Sequence, residues 1–132
     1  MSLHRLEDLE VYTLSEKLGD EIWGIVIGWE YFVRDTVGKQ LTRSADSISA
    51  NIAEGYGRYH YKENRNFCYF SRGSLIETKS WLQKVKNRNL ITEDKFLSLL
   101  KQLEIIHVKL NAYMKFIGKT STSAKTNELM NQ

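Results

Sequence analysis

The chain has 132 residues, of which 42% are hydrophobic and 27% are charged. This length fits a single domain of roughly 100–200 residues, and the composition excludes a disordered polyelectrolyte. Nineteen Lys and Arg stand against sixteen Asp and Glu, so the net charge of +3 is too small to indicate a polyanionic partner by itself.

The sequence carries no sign of export or of membrane insertion. No apolar run approaches the ~20 residues that a membrane helix needs. The start, from Met1 to Glu10, contains three acidic residues and lacks the apolar core of a secretory signal. The lone Cys68 cannot form an internal disulfide and fits a reducing compartment. We therefore expect a soluble cytoplasmic protein with no membrane contact.

Proline is absent from the chain, although average proteins contain about 5%. Nothing in the sequence therefore forces a helix to break, and the hydrophobic periodicity described below predicts an all-α protein. Residues 118–132 are polar and predict a mobile C-terminal tail, which follows one domain over residues 1–117.

The first predicted helix covers about residues 7–29. Its apolar side chains recur at helical spacing on one core-facing stripe, formed by Val11, Leu18, Ile22, Ile25, Trp29 and Phe32. The boundary with the next helix is the weakest of the chain, because Gly28 and Asp35 are its only stop signals.

The second predicted helix covers about residues 32–54 and ends at Gly55 and Gly57, which are natural helix terminators. Its apolar stripe consists of Val37, Leu41, Ala45, Ile48 and Ile52. A polar row runs beside that stripe and contains Gln40, Ser44, Ser47, Asn51 and Glu54. Small hydroxyl side chains allow close helix approach, so a structural role is favoured for this row over a catalytic one.

The third and fourth predicted helices cover about residues 61–87 and 92–117. The third has a core face of Phe67, Ser71, Ser74, Thr78, Trp81 and Val85. The fourth opens at Thr92, a capping residue, and repeats Phe96, Leu103, Leu110 and Ile117 in one heptad position and Leu99, Ile106 and Tyr113 in another. Four helices of similar length, joined by short turns, predict an up-down-up-down antiparallel four-helix bundle.

Three segments carry a resemblance to a known family. They are QLTRSADSISANIAEGYGR from Gln40 to Arg58, LEDLEVY from Leu6 to Tyr12 and GSLIE from Gly73 to Glu77. The chain resembles the 23S rRNA intervening-sequence protein family, also called four-helix bundle proteins. The resemblance implies a homopentamer of four-helix protomers, encoded within insertions of large-subunit rRNA genes. A related branch, the accessory protein of diversity-generating retroelements, is a basic pentameric barrel that engages nucleic acid.

The family signature includes positions that the resemblance assigns to the fold or to the oligomer rather than to catalysis. In this chain they are Gln40, Arg43, Ser47, Asn51, Glu54, Gly55 and Glu77.

The third helix carries cations at strict seven-residue intervals, namely Arg65, Arg72, Lys79 and Lys86. They form a basic stripe about 31 Å long at ~1.5 Å per residue, and aligned charges of this kind suit phosphate contacts. Just before it, Arg58, Lys62 and Arg65 alternate with Tyr56, Tyr59 and Tyr61, a mixture that can stack bases and hold phosphates. Two alternatives stay open: a solvated basic flank, and tyrosines that only cover the end of the core.

A second row on the third helix points away from its core face and contains Tyr69, Gly73, Ile76 and Ser80. A glycine inside a helix costs about 0.8–1 kcal/mol relative to alanine, so Gly73 suggests close approach of another helix. We name these residues the interface row and predict that they form a homo-oligomer contact.

No catalytic arrangement is apparent. Glu104 and His107 form a single E-x-x-H step, but the second such step and the additional glutamates of a di-metal bundle site are missing. Cys68 has no histidine nearby in sequence. The sequence thus predicts a non-catalytic, oligomeric protein without cofactor or metal, which binds structured RNA through the basic stripe. The alternative is a protein–protein interaction scaffold with no nucleic-acid role.

Overall fold

A computed structural model describes the backbone of residues 5–130 and the side chains of residues 5–121. Regular structure in that part of the chain is entirely helical. A 3₁₀ turn, Leu6–Asp8, precedes helix α1. Helix α2 has three continuous parts, of which the middle one is π-helical. The bounds are Glu10–Val26 for α1; Tyr31–Val33, Arg34–Gly38 and Lys39–Tyr56 for α2; Tyr61–Asn87 for α3; and Glu93–Met130 for α4.

Specific caps set the helix ends. The carboxylate of Glu30 accepts hydrogen bonds from the backbone N–H groups of Phe32 (2.9 Å) and Val33 (3.4 Å), which starts α2. Thr92 Oγ1 accepts from Lys95 N at 3.1 Å, so it caps α4 as predicted. Between α3 and α4, Asn89 adopts a φ of 61°, a left-handed conformation that asparagine tolerates well.

Helix α1 is shorter than predicted at both ends, since it begins at Glu10 instead of residue 7, and helix α4 is longer. Helix α1 ends at Val26, because residues 27–30 form the turn that Glu30 closes. Phe32 therefore belongs to the start of α2 and is 65% exposed, so its assignment to the core stripe of the first helix was wrong. Helix α4 continues past the predicted end at Ile117 to Met130, and Thr120 Oγ1 donates to the carbonyl of Phe116 at 2.9 Å. The mobility of residues 118–132 stays a prediction; the side chains of residues 122–132 lie outside the described part.

The helices form the predicted antiparallel four-helix bundle, in which each packs against its chain neighbours and α4 closes against α1. The α2 stripe is buried as predicted, as are most of the two α4 seams. The fully buried side chains of the core include Leu18, Ile22, Leu41, Ile48, Ile52, Leu75, Leu82, Leu99, Leu103, Ile106 and Leu110. Burying each such side chain stabilises the fold by roughly 1.5–3 kcal/mol.

The core face of α3 is rotated from the one predicted. Cys68, Leu75 and Leu82 are fully buried, whereas Phe67 and Trp81 are only half-buried. The predicted Ser71 and Thr78 are buried, but they pack against α2: Ser71 Oγ donates to Ile48 O at 2.7 Å, and Thr78 Oγ1 lies 3.0 Å from Ser44 Oγ. Small hydroxyls thus bring α2 and α3 close together, and the aliphatic side chains next to them fill the bundle centre.

Candidate nucleic-acid interface

The basic stripe of α3 lies along the groove between α3 and α4. Arg72 Nη1 donates to Asn111 Oδ1 at 3.3 Å, and Lys86 Nζ lies 3.1 Å from Glu93 Oε2. All four stripe cations are half-buried rather than fully solvated. The stripe is therefore one wall of a groove, and α4 supplies the other wall.

Helix α4 adds Lys115 and Lys119 to this groove, which our sequence analysis missed. Both residues line the same cleft as Arg65. Their four-residue spacing places both lysines on one side of α4, and this could be read from the sequence. That this side faces α3 follows only from the packing of the two helices. The groove therefore gathers positive charge from two helices.

His107 lies beside two of the groove cations, Lys79 and Arg72. His107, half-buried on α4, has its pKa lowered below the usual 6.5, first by burial and then by the charges of Lys79 and Arg72. The imidazole is therefore neutral at neutral pH, and the positive charge of the groove comes from Lys and Arg.

The groove ends in a cleft of about 840 Å³ near the start of α3 and the far part of α4. Its lining residues are Tyr61, Arg65, Tyr69, Met114, Lys115, Gly118 and Lys119. The guanidinium carbon of Arg65 lies 5.5 Å from the Tyr61 ring centre, and that of Arg72 lies 5.0 Å from the Tyr69 ring centre. Aromatic and cationic side chains therefore meet at this end. Of the mixed cluster predicted for the turn, only Tyr61 and Arg65 line the cleft, and Tyr69 joins them.

The remaining predicted nucleic-acid residues differ in their availability. Arg58 forms ion pairs with Glu54 and Glu63 and lies over the Phe67 ring, so its charge is partly neutralised. Lys86 is paired with Glu93 in the same way. Lys62 is exposed at the first turn of α3. Among the residues that the structure describes, five groove cations have no carboxylate within ion-pair distance: Arg65, Arg72, Lys79, Lys115 and Lys119.

The interface row is solvent-exposed in the protomer. Tyr69 is 45% exposed and Ile76 50%, and a Cβ added at Gly73 would meet no atom within 4 Å. Packing within the protomer therefore does not require glycine at this position.

The signature residues have structural contacts. The Arg43 guanidinium forms an ion pair with Glu77 and its Nε donates to Gln40 Oε1 at 3.1 Å, while Trp81 Nε1 donates to Glu77 at 3.2 Å. This network ties α2 to α3 at their surface. Ser47 Oγ donates to Arg43 O and Asn51 Nδ2 to Ser47 O, both within α2. Gly55 allows close contact with α3, since a Cβ there would lie 2.9 Å from Phe67 Cβ and 3.0 Å from Asn64 O.

No reactive centre emerges in the described part of the chain. Burial raises the pKa of the Cys68 thiol to about 11, so it stays protonated and unreactive at neutral pH. Among described residues, no three His, Cys, Asp or Glu side chains are placed to share a metal ion. Within the same range, no helix combines the length and apolar character needed to cross a membrane.

Comparison with known proteins agrees with the resemblance. A family model described as 23S rRNA-intervening sequence protein matches residues 7–112. A crystal structure of a protein of unknown function from the S23 ribosomal protein family of Bacteroides thetaiotaomicron VPI-5482 superposes with a TM-score of 0.71 at 23% identity. The match covers 80% of this chain and 95% of that one, and it shows the shared fold. No curated protein matches the chain significantly.

Proposed function

Since the chain belongs to the 23S rRNA-intervening sequence protein family, we propose that it is a non-catalytic, oligomeric binding protein that holds structured RNA in the α3–α4 groove. The proposal assigns it a cytoplasmic location, no cofactor and no catalytic residue. The observation that carries it is the convergence of cations from two helices on one groove: Arg65 lines a cleft together with Lys115 and Lys119, and Arg72 and Lys79 follow along α3 beside Asn111 and His107.

The geometry favours a polyanion over scattered surface charge. Cations that serve only solubility need no particular arrangement. Phosphates repeat at regular intervals along a nucleic-acid strand, so aligned cations can contact several of them at once. The groove lies on the opposite side of the bundle from the α1–α2 side, where Glu16, Asp20 and Asp46 cluster. The pKa of Asp46 is raised, first by burial and then by the negative charges of Asp20 and Glu16. A polyanion is therefore attracted to one side and repelled from the other.

The test compares two triple variants with equal net charge. Changing Arg65, Arg72 and Lys79 to Gln removes the groove charge, and changing Lys17, Lys39 and Lys84 to Gln removes as much charge from exposed positions elsewhere. Fluorescence anisotropy with ribosomal RNA hairpins, over a series of salt concentrations, measures affinity. We expect the groove variant to lose at least about tenfold in affinity and to show a smaller salt slope, by up to about 0.7–0.9 per lost phosphate contact.

The control variant should bind with nearly the wild-type salt slope. Both variants should keep their helical circular dichroism, because none of the six side chains is fully buried and partly exposed charges contribute little to stability. Equal losses in the two variants would show that only net charge matters, and a wild-type protein that binds no hairpin even at low salt would remove the proposal.

The proposal includes self-assembly, for which the interface row is the support. An exposed tyrosine and isoleucine flank a helix-interior glycine that nothing in the protomer requires. The family resemblance gives the pentamer as the expected number of subunits.

A second candidate is the interaction scaffold, which one feature favours. At the bend between α1 and α2, Trp23, Ile27 and Tyr31 are 54%, 49% and 69% exposed and line a cleft of about 450 Å³. Contiguous exposed apolar side chains often mark protein contacts. Under this candidate, Ile27→Asp abolishes a partner contact while the groove variant has no effect.

A further inference from the structure

The cleft at the end of the α3–α4 groove combines the two kinds of side chain that bind nucleotides. Its seven lining residues include two tyrosines and three cations, and none of the seven is a carboxylate. Its volume of about 840 Å³ falls within the roughly 300–1,000 Å³ typical of small-ligand sites. Glycine at position 118 lets Tyr61 pack closely against α4, because a Cβ there would lie 3.1 Å from the Tyr61 hydroxyl.

One wall of the cleft offers stacking surfaces. Tyr61, Arg65 and Tyr69 follow one another on this wall at four-residue steps, and the Arg65 guanidinium lies 5.5 Å from the Tyr61 ring centre. Arg72, just beyond the cleft, lies 5.0 Å from the Tyr69 ring centre. Unstacked RNA bases bind on aromatic rings and on guanidinium planes. This wall therefore suits a base.

The rest of the cleft suits a phosphate. Lys115 and Lys119 stand one helical turn apart on α4, across the cleft from Arg65. Arg65 Nε is buried and has no hydrogen-bond acceptor among the described residues. A buried donor without an acceptor is unfavourable, so a small shift of the Arg65 side chain that exposes Nε to a phosphate oxygen in the cleft would satisfy it.

We infer that this cleft binds a single unpaired nucleotide of an RNA strand, with its base against the Tyr61 and Arg65 side chains and its phosphate between Arg65 and the two lysines. This inference rests on the proposed function, because it places the nucleotide within RNA that the groove holds. A paired nucleotide keeps its base inside the helix, so only a bulged or looped-out nucleotide can present base and phosphate together.

The experiment uses two RNA hairpins of equal length that carry the fluorescent base 2-aminopurine, unpaired in one and paired in the other. The wild-type protein should bind the unpaired hairpin more tightly and change its base fluorescence. Tyr61→Leu should weaken binding to the unpaired hairpin at least about fivefold, because loss of the aromatic ring removes one base-stacking contact and fivefold is the smallest effect typical of such a loss. Its affinity for the paired hairpin should stay unchanged. Tyr69 is left intact because it also belongs to the interface row.

A second pair of variants tests the phosphate contact without touching the core. Lys115→Gln should reduce the preference for the unpaired hairpin, whereas Lys101→Gln, an exposed change on α4 about 21 Å away by helical rise, should not. Circular dichroism verifies that every variant is folded.

The outcomes separate this inference from the proposed function. Equal affinity for the two hairpins, without a fluorescence change, would overturn the nucleotide site while RNA binding stands. Absence of binding to either hairpin would overturn both. Saturable binding of adenosine monophosphate, together with no preference for the unpaired hairpin, would also contradict an RNA strand as the source of the nucleotide.

Discussion

At the scale of single residues, two glycines on neighbouring helices have opposite surroundings. Gly55 is buried where α2 meets α3, and an added Cβ would lie 2.7 Å from Asn64 Oδ1, 2.9 Å from Phe67 Cβ and 3.0 Å from Asn64 O. Gly24 on α1 would place a Cβ in open space. The first glycine permits a helix contact, and the second only weakens its helix.

This contrast predicts stabilities of opposite sign. Gly55→Ala should lower the free energy of unfolding by about 1–3 kcal/mol, because the carbonyl of Asn64 belongs to the backbone and cannot swing aside. Gly24→Ala should raise it by about 0.4–1 kcal/mol, since alanine favours the helix and restricts the unfolded chain. Urea denaturation measures both changes. A Gly55→Ala protein as stable as the wild type would mean that α2 and α3 are farther apart than the structure shows.

At the scale of helix pairs, Glu21 connects α1 to α4. Its carboxylate accepts from Gln102 Nε2 at 3.0 Å and lies 2.9 Å from Lys95 Nζ. These contacts, the hydrogen bond from Gln102 first and then Lys95, hold the pKa of Glu21 below its usual 4.5 against the opposing effect of burial. The folded state therefore binds the Glu21 carboxyl proton less tightly than the unfolded state does. The contribution of Glu21 to the free energy of unfolding is present above pH 4.5 and is lost as the pH falls through the lower pKa of the folded state.

Glu21→Gln should therefore destabilise the protein at neutral pH by up to about 1 kcal/mol, a size set by the partial exposure of the pair. The difference from the wild type should shrink as the pH falls below 4.5. Unfolding curves measured across acidic pH check this, with Glu104→Gln, an exposed position on α4, as the control that removes the same charge. A difference that does not depend on pH would show that shape rather than charge matters at position 21.

At the scale of the whole molecule, the proposed assembly depends on the interface row. Gly73→Leu would fill the space that the proposed neighbouring helix needs, so we expect a lower oligomer mass by light scattering and unchanged protomer helicity. Ala50→Leu places the same side chain at an exposed position of α2 and should leave the mass unchanged. A wild-type protein that is monomeric at micromolar concentration would exclude the oligomer, and an oligomer unaffected by Gly73→Leu would move the contact to another face.

The sequence by itself determined the four helices, their antiparallel order and most of the core. The stripes of α2 and α4 were found because aliphatic side chains repeat at helical spacing on one side only, a signal that is local to each helix. The third helix extends over residues 61–87, as predicted. The family signature pointed to Gly55 and to the pair of Arg43 and Glu77, whose contacts are structural.

Only the tertiary structure decided which sides of α3 and α4 meet. The serines and threonine of α3 suggested a core face. In the structure Ser71 and Thr78 instead pack against α2, and Cys68, Leu75 and Leu82 fill the bundle centre. The addition of Lys115 and Lys119 to the groove depends on contacts between side chains distant in sequence, and the ion pairs of Arg58 with Glu63 and of Lys86 with Glu93 each form across a turn. Periodicity fixes which residues share a face of one helix, whereas the rotation of that helix against its neighbours follows from side-chain packing across the whole bundle.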